Sequence, residues 1–452
     1  MKTSTLAKQL LTAAVFAGIS LQFCRSAPVC GGVAPFSEQP MRASRLTSEL
    51  GIGVHMGSSK GPYGKVDQVV RAIDYLGIKH VRDSVGGALA GSFINGQWDS
   101  TPDAKLQMFA ASGIHFDVGM GSSLQADLPR VRQYAQYIES IEGPNEPEFT
   151  HYKYAGLDGT PAALQIQRDL YAAVKSDPVL ASKQVMSIPF AHAADTGAAT
   201  DLAHYADTAN VHTYATHGVS PRPVMQADLQ NTADAPNDHF VITETGYPTN
   251  VPGGPPGARN GPGHSFVDED VQAKYVLDAI FDAFDLHVRR TYLYELLDET
   301  PDLQDIDPEK HYGLFHTDYS PKPAAVAVHN LMGILHANQD QGDFPLIPFP
   351  YTVQANLNGP APNCYVYSML IQRAAGVNDV VIWAEPPLWT PDLHHAPPAA
   401  PINVVLSFPI PQGKVRVFDP LISSRSQADY KAVQQLTVQV TDHPVIVETV
   451  GF

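Results

Sequence analysis

The feature that most constrains this chain is an alternation. From residue 50 to about 340, short apolar runs alternate with segments of helical spacing, about eight times over. The candidate strands are Gly51 to Met56, Lys79 to Arg82, Ile114 to Val118, Tyr137 to Glu142, Lys183 to Ile188, Ala209 to Tyr214, His239 to Thr243 and Arg290 to Tyr294. Between the first two, Val66, Val69, Val70, Ile73 and Leu76 fall on one helical face, and Ala162 to Val174 and Val271 to Leu286 repeat the spacing of three and four. Strand, crossover helix and strand in series build a parallel sheet, and eight such units read as an α/β fold of the (β/α)8 TIM barrel type. A doubly wound open sheet is the alternative. It loses support because no Gly-rich phosphate turn follows any strand.

Beyond Leu346 the pattern changes. Tyr365 to Leu370, Val380 to Ala384, Ile402 to Phe408, Lys414 to Phe418, Leu436 to Val440 and Pro444 to Val447 are β-rich and separated by Pro, Gly or Asp, which suggests a β-sandwich over 345–452 behind a barrel over 50–340. Pro386 to Pro401 reads as a long loop. Lys2 and Lys8 precede the apolar run Leu10 to Leu21, too short to span a bilayer, so residues 1–26 read as a signal peptide with small residues for cleavage at Ser26 or Ala27. A lipoprotein site at Cys24 would want a small residue before it and finds Phe23. The expectation is a secreted or periplasmic protein whose segment 27–49 can pack on the β domain. In an oxidising compartment Cys30 and Cys364 can pair; two unrelated thiols are the other reading.

Composition narrows the partners. Lys and Arg total 29 against 46 Asp and Glu, a formal charge of −17, and a field of that sign repels phosphate backbones and anionic lipids. Nucleic acid and, once the leader is removed, membrane are therefore not expected as partners, and a monomer is. No CxxC or Cys/His spacing suggests a metal, and no cofactor is called for.

In a barrel, reactive side chains converge at the C-terminal strand ends. Two glutamates meet that condition: Glu146 in Gly143-Pro144-Asn145-Glu146-Pro147-Glu148 past the fourth strand, and Glu244 in Ile242-Thr243-Glu244-Thr245-Gly246 at the end of the seventh. Glycosidic hydrolysis with retention needs one carboxylic acid to protonate the leaving oxygen and one carboxylate to attack the anomeric carbon, about 5 Å apart. A second negative charge close by keeps the acid protonated near neutral pH, and donors around the nucleophile keep it ionised. Strand alternation turns the neighbouring Glu142 away, and Glu148 begins a loop.

Asn145-Glu146-Pro147 and Thr243-Glu244-Thr245-Gly246 resemble the paired signatures of the clan A glycoside hydrolases, retaining (β/α)8 enzymes. Either motif alone is weak. Their order, the 98 residues from Glu146 to Glu244 and the intervening His212-Thr213-Tyr214 make the set specific. The resemblance implies Glu146 as acid/base, Glu244 as nucleophile, Asn145 as partner of the sugar 2-hydroxyl, Tyr214 on the nucleophile, His212 lining the site, and Arg82 as a hydrogen-bond donor to the nucleophile. The layout with an export signal and a C-terminal β-sandwich is most similar to family 39 and its uncharacterised relatives. Where many members place a Trp after the eighth strand, this chain reads Tyr292-Leu293-Tyr294-Glu295, so Tyr294 takes that place, and Glu295 could bind sugar hydroxyls or stabilise the barrel.

Sugar rings present apolar C–H faces, so subsites want exposed aromatics. Tyr63, Trp98, Phe149, Tyr152, Tyr247 and Tyr294 are the candidates on the catalytic face, each of which could equally be packing. Tyr247 to His264, with Arg259 and His264, could wall the cleft, and the acidic run Asp298, Glu299, Asp302, Asp305, Asp307 and Glu309 reads as a solvated loop rather than a Ca²⁺ site. The expected substrate is a polysaccharide or oligosaccharide, cleaved by double displacement in an endo-acting cleft. A transglycosylase using the same glutamates, or a non-catalytic carbohydrate-binding protein, are the alternatives.

Overall fold

The computed structural model describes residues 34–38, 40–94, 96–192, 202–215, 218–232, 239–249, 266–302, 307–336, 344–356, 365–389 and 399–451. The leader, Cys30, Cys364, Arg259, His264 and Asp305 lie outside these residues. Eight parallel strands form a near-closed barrel: β1 (Leu50–Gly53), β2 (His80–Ser84), β3 (His115–Gly119), β4 (Ile138–Glu142), β5 (Gln184–Met186), β6 (Ala209–His212), β7 (Phe240–Thr245) and β8 (Thr291–Leu293). They pair in the order β5-β4-β3-β2-β1-β8-β7-β6, and bridges from Met186 to Thr208 and from Phe190 to Val211 draw the two ends of that row together.

Helices α1 (Val66–Leu76), α2 (Asp103–Ala111), α3 (Leu124–Gln133), α4 (Thr160–Ser176), α5 (Pro221–Asn231), α6 (Glu269–Asp285) and α7 (Pro323–His336) follow strands β1 to β4 and β6 to β8. Between β5 and β6 the helical element among the described residues is the 3₁₀ turn Leu202–His204. Local chemistry sets the helix ends. Gly77 closes α1 in the left-handed conformation (φ 75°), returning its N–H to Ile73 and Asp74, and the Asp268 carboxylate caps α6 by accepting from the Val271 N–H at 2.7 Å. Helix α6 is buried along almost its whole length because it lies between the barrel and the following sheet.

That sheet is antiparallel and curled: β9 (Phe349–Asn356), β10 (Val366–Ala374), β11 (Val377–Ala384), β12 (Ile402–Asp419), β13 (Ser423–Val440) and β14 (Val445–Val450). The first half of β12 pairs with β9 and its second half with β14, so one long strand turns the sheet over on itself and makes the sandwich. Two expected strands, Ile402 to Phe408 and Lys414 to Phe418, are thus one. Pro409 and Pro411 cannot donate to the ladder, and the register against β13 shifts between Ser407 and Gln412, which is the break seen in the sequence. The short strand Ala34–Glu38 pairs with β9, and Met41–Arg42 pairs with β10.

Burial on both faces explains the unbroken apolar runs in β10 and β11. Leu370, Val380 and Ile382 face the sandwich core, while Met369, Ile371, Val381 and Trp383 join the core of the barrel. Polar anchors cross the same boundary. The Trp383 indole donates to Asp282 at 3.0 Å, Arg222 donates to Asp282 at 3.0 Å and to Asp285, and its guanidinium lies 4.2 Å from the Tyr367 ring centre.

Candidate active site

The C-terminal strand ends bring together six of the residues expected from the sequence: Arg82, Asn145, Glu146, His212, Tyr214 and Glu244. Arg82, on β2, donates from Nη1 to Glu244 Oε1, and from Nη2 to Asn145 Oδ1 at 2.6 Å. Tyr214, two residues beyond β6, donates its hydroxyl to Glu244 Oε2 at 2.7 Å. Both carboxylate oxygens of Glu244 are therefore held from opposite sides. His212 Nδ1 lies 2.7 Å from Glu146 Oε1 and 3.5 Å from Glu244 Oε2. One carboxylate oxygen of Glu146, one of Glu244 and a His212 ring nitrogen all fall within 4.8 Å of one another.

Each placement has a local cause. Glu146 adopts φ 40°, a left-handed conformation uncommon for a side chain larger than Gly. It is locked there: its N–H donates to Pro189 O at 3.0 Å, and its carbonyl accepts from the N–H groups of Phe149 and Thr150 at 3.0 and 2.8 Å. Past Glu244, a Cβ at Gly246 would lie 2.0 Å from the Tyr294 carbonyl oxygen, so only glycine lets β7 and β8 approach there. Tyr294 borders the site, with ring centres 6.3 Å from Tyr214, 5.2 Å from Tyr312 and 5.6 Å from His55.

Electrostatics divides the groups. Burial alone would raise the Glu244 pKa, but His212, Arg82 and the Tyr214 hydroxyl outweigh it and hold this carboxyl down at about 2. His212 is pulled the other way: burial would lower it, yet Glu244 and the bond to Glu146 hold it above the usual histidine value. Its protons can be followed. Thr243 Oγ1 donates to Asn210 Oδ1 at 2.7 Å, so it accepts from His212 Nε2–H at 3.0 Å. The short contact between Nδ1 and Glu146 Oε1 then requires a proton on the line between those two atoms.

Glu142 corrects the sequence reading. It does not turn away: it is fully buried and bidentate on Arg82, accepting from Nε at 2.8 Å and Nη2 at 2.6 Å. Alternation counted along an unbroken strand fails because the β3–β4 register shifts between Phe116 and Asp117. Asp298 is likewise no part of a solvated loop; it is buried and takes Lys322 Nζ at 2.7 Å and the Gly313 N–H at 3.0 Å. Tyr63, Tyr152 and Tyr247 are buried, their hydroxyls donating to Glu295, to the Asn145 carbonyl and to the Val219 carbonyl. Trp98 is 54% exposed on the hairpin of Ser92–Ile94 and Gln97–Asp99, with its ring against Phe93, away from the glutamates' hydrogen-bond network.

Sequence reasoning missed His55. It follows β1, packs edge-on against Tyr63 and Tyr294, and lies 3.3 Å from Glu295 Oε2. Burial lowers its pKa to about 4 and pushes the Glu295 carboxyl far above the ordinary range. The only available signal was its place at a strand end. His55, Glu295 and Glu299 form a second group whose ligand atoms cluster within 4.8 Å. Either trio has the spacing a cation could bridge, but Arg82 and Tyr214 already satisfy Glu244, so the first is complete without one. A cavity of about 660 Å³ lies at the opposite, N-terminal mouth of the barrel, lined by Arg45, Glu139, Arg290 and Tyr292 among others, and is separate from this centre.

The fold, a (β/α)8 barrel with a β-sandwich behind it, is one that the chain shares with solved glycoside hydrolase structures. Among solved structures it is similar to a family 39 glycoside hydrolase from the gut symbiont Bacteroides cellulosilyticus (14% identity, 90% of this chain and 82% of that one, TM-score 0.57). It is also similar to a monomeric β-xylosidase from Caulobacter crescentus (13%, 92% and 98%, 0.56) and a glucosidase from Croceicoccus marinus (13%, 94% and 100%, 0.56). No family model matches the sequence, and no curated protein matches it.

Proposed function

We propose that the protein is a retaining glycoside hydrolase acting on a polysaccharide or oligosaccharide, with Glu244 as nucleophile and Glu146 as acid/base. The observation that carries this reading is the approach of the two carboxylates within 4.8 Å, one on β7 and one past β4. That separation suits direct attack on the anomeric carbon and leaves no room for the water an inverting enzyme places between its acids. Glu244, held ionised by Arg82 and Tyr214, attacks the anomeric carbon as the bond to the leaving oxygen breaks. The proton on the Glu146–His212 line passes through Glu146 to that oxygen, and Glu146 then takes one from the incoming water as the glycosyl–Glu244 ester is cleaved. Asn145 gives its amide oxygen to Arg82, which leaves its NH₂ to meet the sugar 2-hydroxyl.

Secretion through the N-terminal leader and monomeric action on a chain lying along the cleft belong to this reading. The test is to incubate wild type and the Glu146→Gln, Glu244→Gln double variant with bacterial, plant and algal polysaccharides, following new reducing ends and product sizes by mass spectrometry. Products from wild type alone are expected, as ladders if action is internal, with the first-formed anomer by NMR matching the substrate. Products from both proteins, or an inverted anomer, would refute the assignment.

A further inference from the structure

We propose that Phe149 is the platform on which the leaving-group sugar rests, the first unit beyond the scissile bond; this rests on the hydrolase reading above. An acid/base has to face the leaving oxygen, so what borders Glu146 on its open side borders the departing sugar. Phe149 is tied to that residue, donating its N–H to the Glu146 carbonyl at 3.0 Å, and it is 70% exposed. The opposite side of the centre is walled. There His55, Tyr63, Tyr294 and Glu295 close the ends of β8 and β1, which fits the sugar unit that is attacked and leaves the β4–β5 side for the one that departs.

The ring is braced without being covered. His192, following β5, meets Phe149 edge-on with ring centres 6.0 Å apart and planes at 79°, and the His192 N–H donates to Glu148 Oε1 at 3.3 Å. An aromatic ring fixed at one edge and open on its face can stack on the C–H face of a pyranose at little entropic cost, since Phe has only two side-chain torsions. Other aromatic candidates serve less well. Tyr63, Tyr152 and Tyr247 are buried, and Trp98 sits on a hairpin resting against α1 and α2.

The experiment compares Phe149→Ala with wild type on two kinds of substrate: β-D-xylosyl and β-D-glucosyl fluorides, whose leaving group is one fluoride ion, and the matching β-linked oligosaccharides. Phe149→Ala is expected to lower kcat/KM on the oligosaccharides roughly tenfold while the fluorides change less than about twofold. Phe149→Trp should recover the oligosaccharide rate, and melting temperatures should match. Equal losses on both substrates, or no loss on either, would overturn the platform while leaving the hydrolase intact. Wild type inert on every fluoride and glycan would overturn the hydrolase reading and this inference with it.

Discussion

Two arginines, one half-buried and one fully buried, organise this molecule, and their surroundings differ in what that burial leaves for their carboxylates. Arg82, at the barrel mouth, holds Glu142, Asn145 and Glu244; Arg373, in β10, holds Asp379 with bonds of 2.6 and 2.9 Å, Glu448, and the Ile334 carbonyl at 2.7 Å. Around Arg373 every charged partner is sealed between the sheet and α7. Asp379 there is pushed up by burial and by the neighbouring Glu448 carboxylate, which Arg373 and Arg416 together do not overcome. Glu244 has more donors and a flank open to the cleft, and it is held at about 2. The difference teaches that an arginine partner alone does not keep a buried carboxylate ionised. What sets Glu244 apart is a surplus of donors beyond what burial costs, which keeps it ionised in a place where it can meet a ligand.

The largest effect should therefore fall where the surplus is. Glu244→Gln is expected to lower kcat by at least about 10⁴-fold, as loss of a nucleophile does, with the folded state retained because Arg82 keeps Glu142. Steady-state rates beside thermal melts check it, and a variant with near-normal turnover would show that Glu244 is only Arg82's structural counterion. The second arginine should behave in the opposite way. Arg373→Met leaves Asp379 and Glu448 buried with too few donors, costing about 3–5 kcal/mol of stability, read from urea denaturation. Rate per folded molecule should stay unchanged, and a selective loss of rate would mean that the β domain shapes the cleft.

How much of this was legible in the sequence follows from what a linear pattern can carry. Glu146, Glu244, Arg82, His212 and Tyr214 sit at strand ends within short recognisable strings, so position along a repeat was enough to place them in one mouth. The wall formed by His55, Tyr63 and Glu295 was not legible: Tyr63 and Glu295 are 232 residues apart and meet only because β8 pairs with β1 as the ring closes. Glu142 was misread because a register shift, invisible in the residues themselves, changed the phase of β4. The β domain was foreseen as a class, but its central strand was cut in two at prolines that the fold accommodates by slipping register.

The contrast between the two arginines also has a signature in pH. Glu244's pKa is lowered on folding, from an ordinary value of 4.5 to about 2. Its contribution to stability is therefore complete above about pH 4.5 and is lost as pH falls through about 2. Asp379, shifted upward, has the reverse sign: its ionised form disfavours folding, and protonation relieves that as pH drops. Melting temperatures followed from pH 5 to pH 2 should fall less steeply in Glu244→Gln than in wild type. Parallel curves would mean that the donors around Glu244 do not favour its ionised form.

The smallest change separates the donors from one another. Tyr214→Phe removes one hydroxyl from Glu244 Oε2 and leaves Arg82 on Oε1, so the carboxylate stays ionised at neutral pH with one oxygen freed. Under the proposed mechanism that hydroxyl serves either the resting charge of Glu244 or the transition state that follows. If its main role is to hold Glu244 ionised, the loss should be small, about tenfold in kcat, and the melting curve should move toward that of Glu244→Gln in acid. If its main role lies in the transition state, kcat should fall much further while the acid melting curve stays that of wild type. Measuring both in the same variant tells which of the surplus donors serves the resting charge and which serves the reaction.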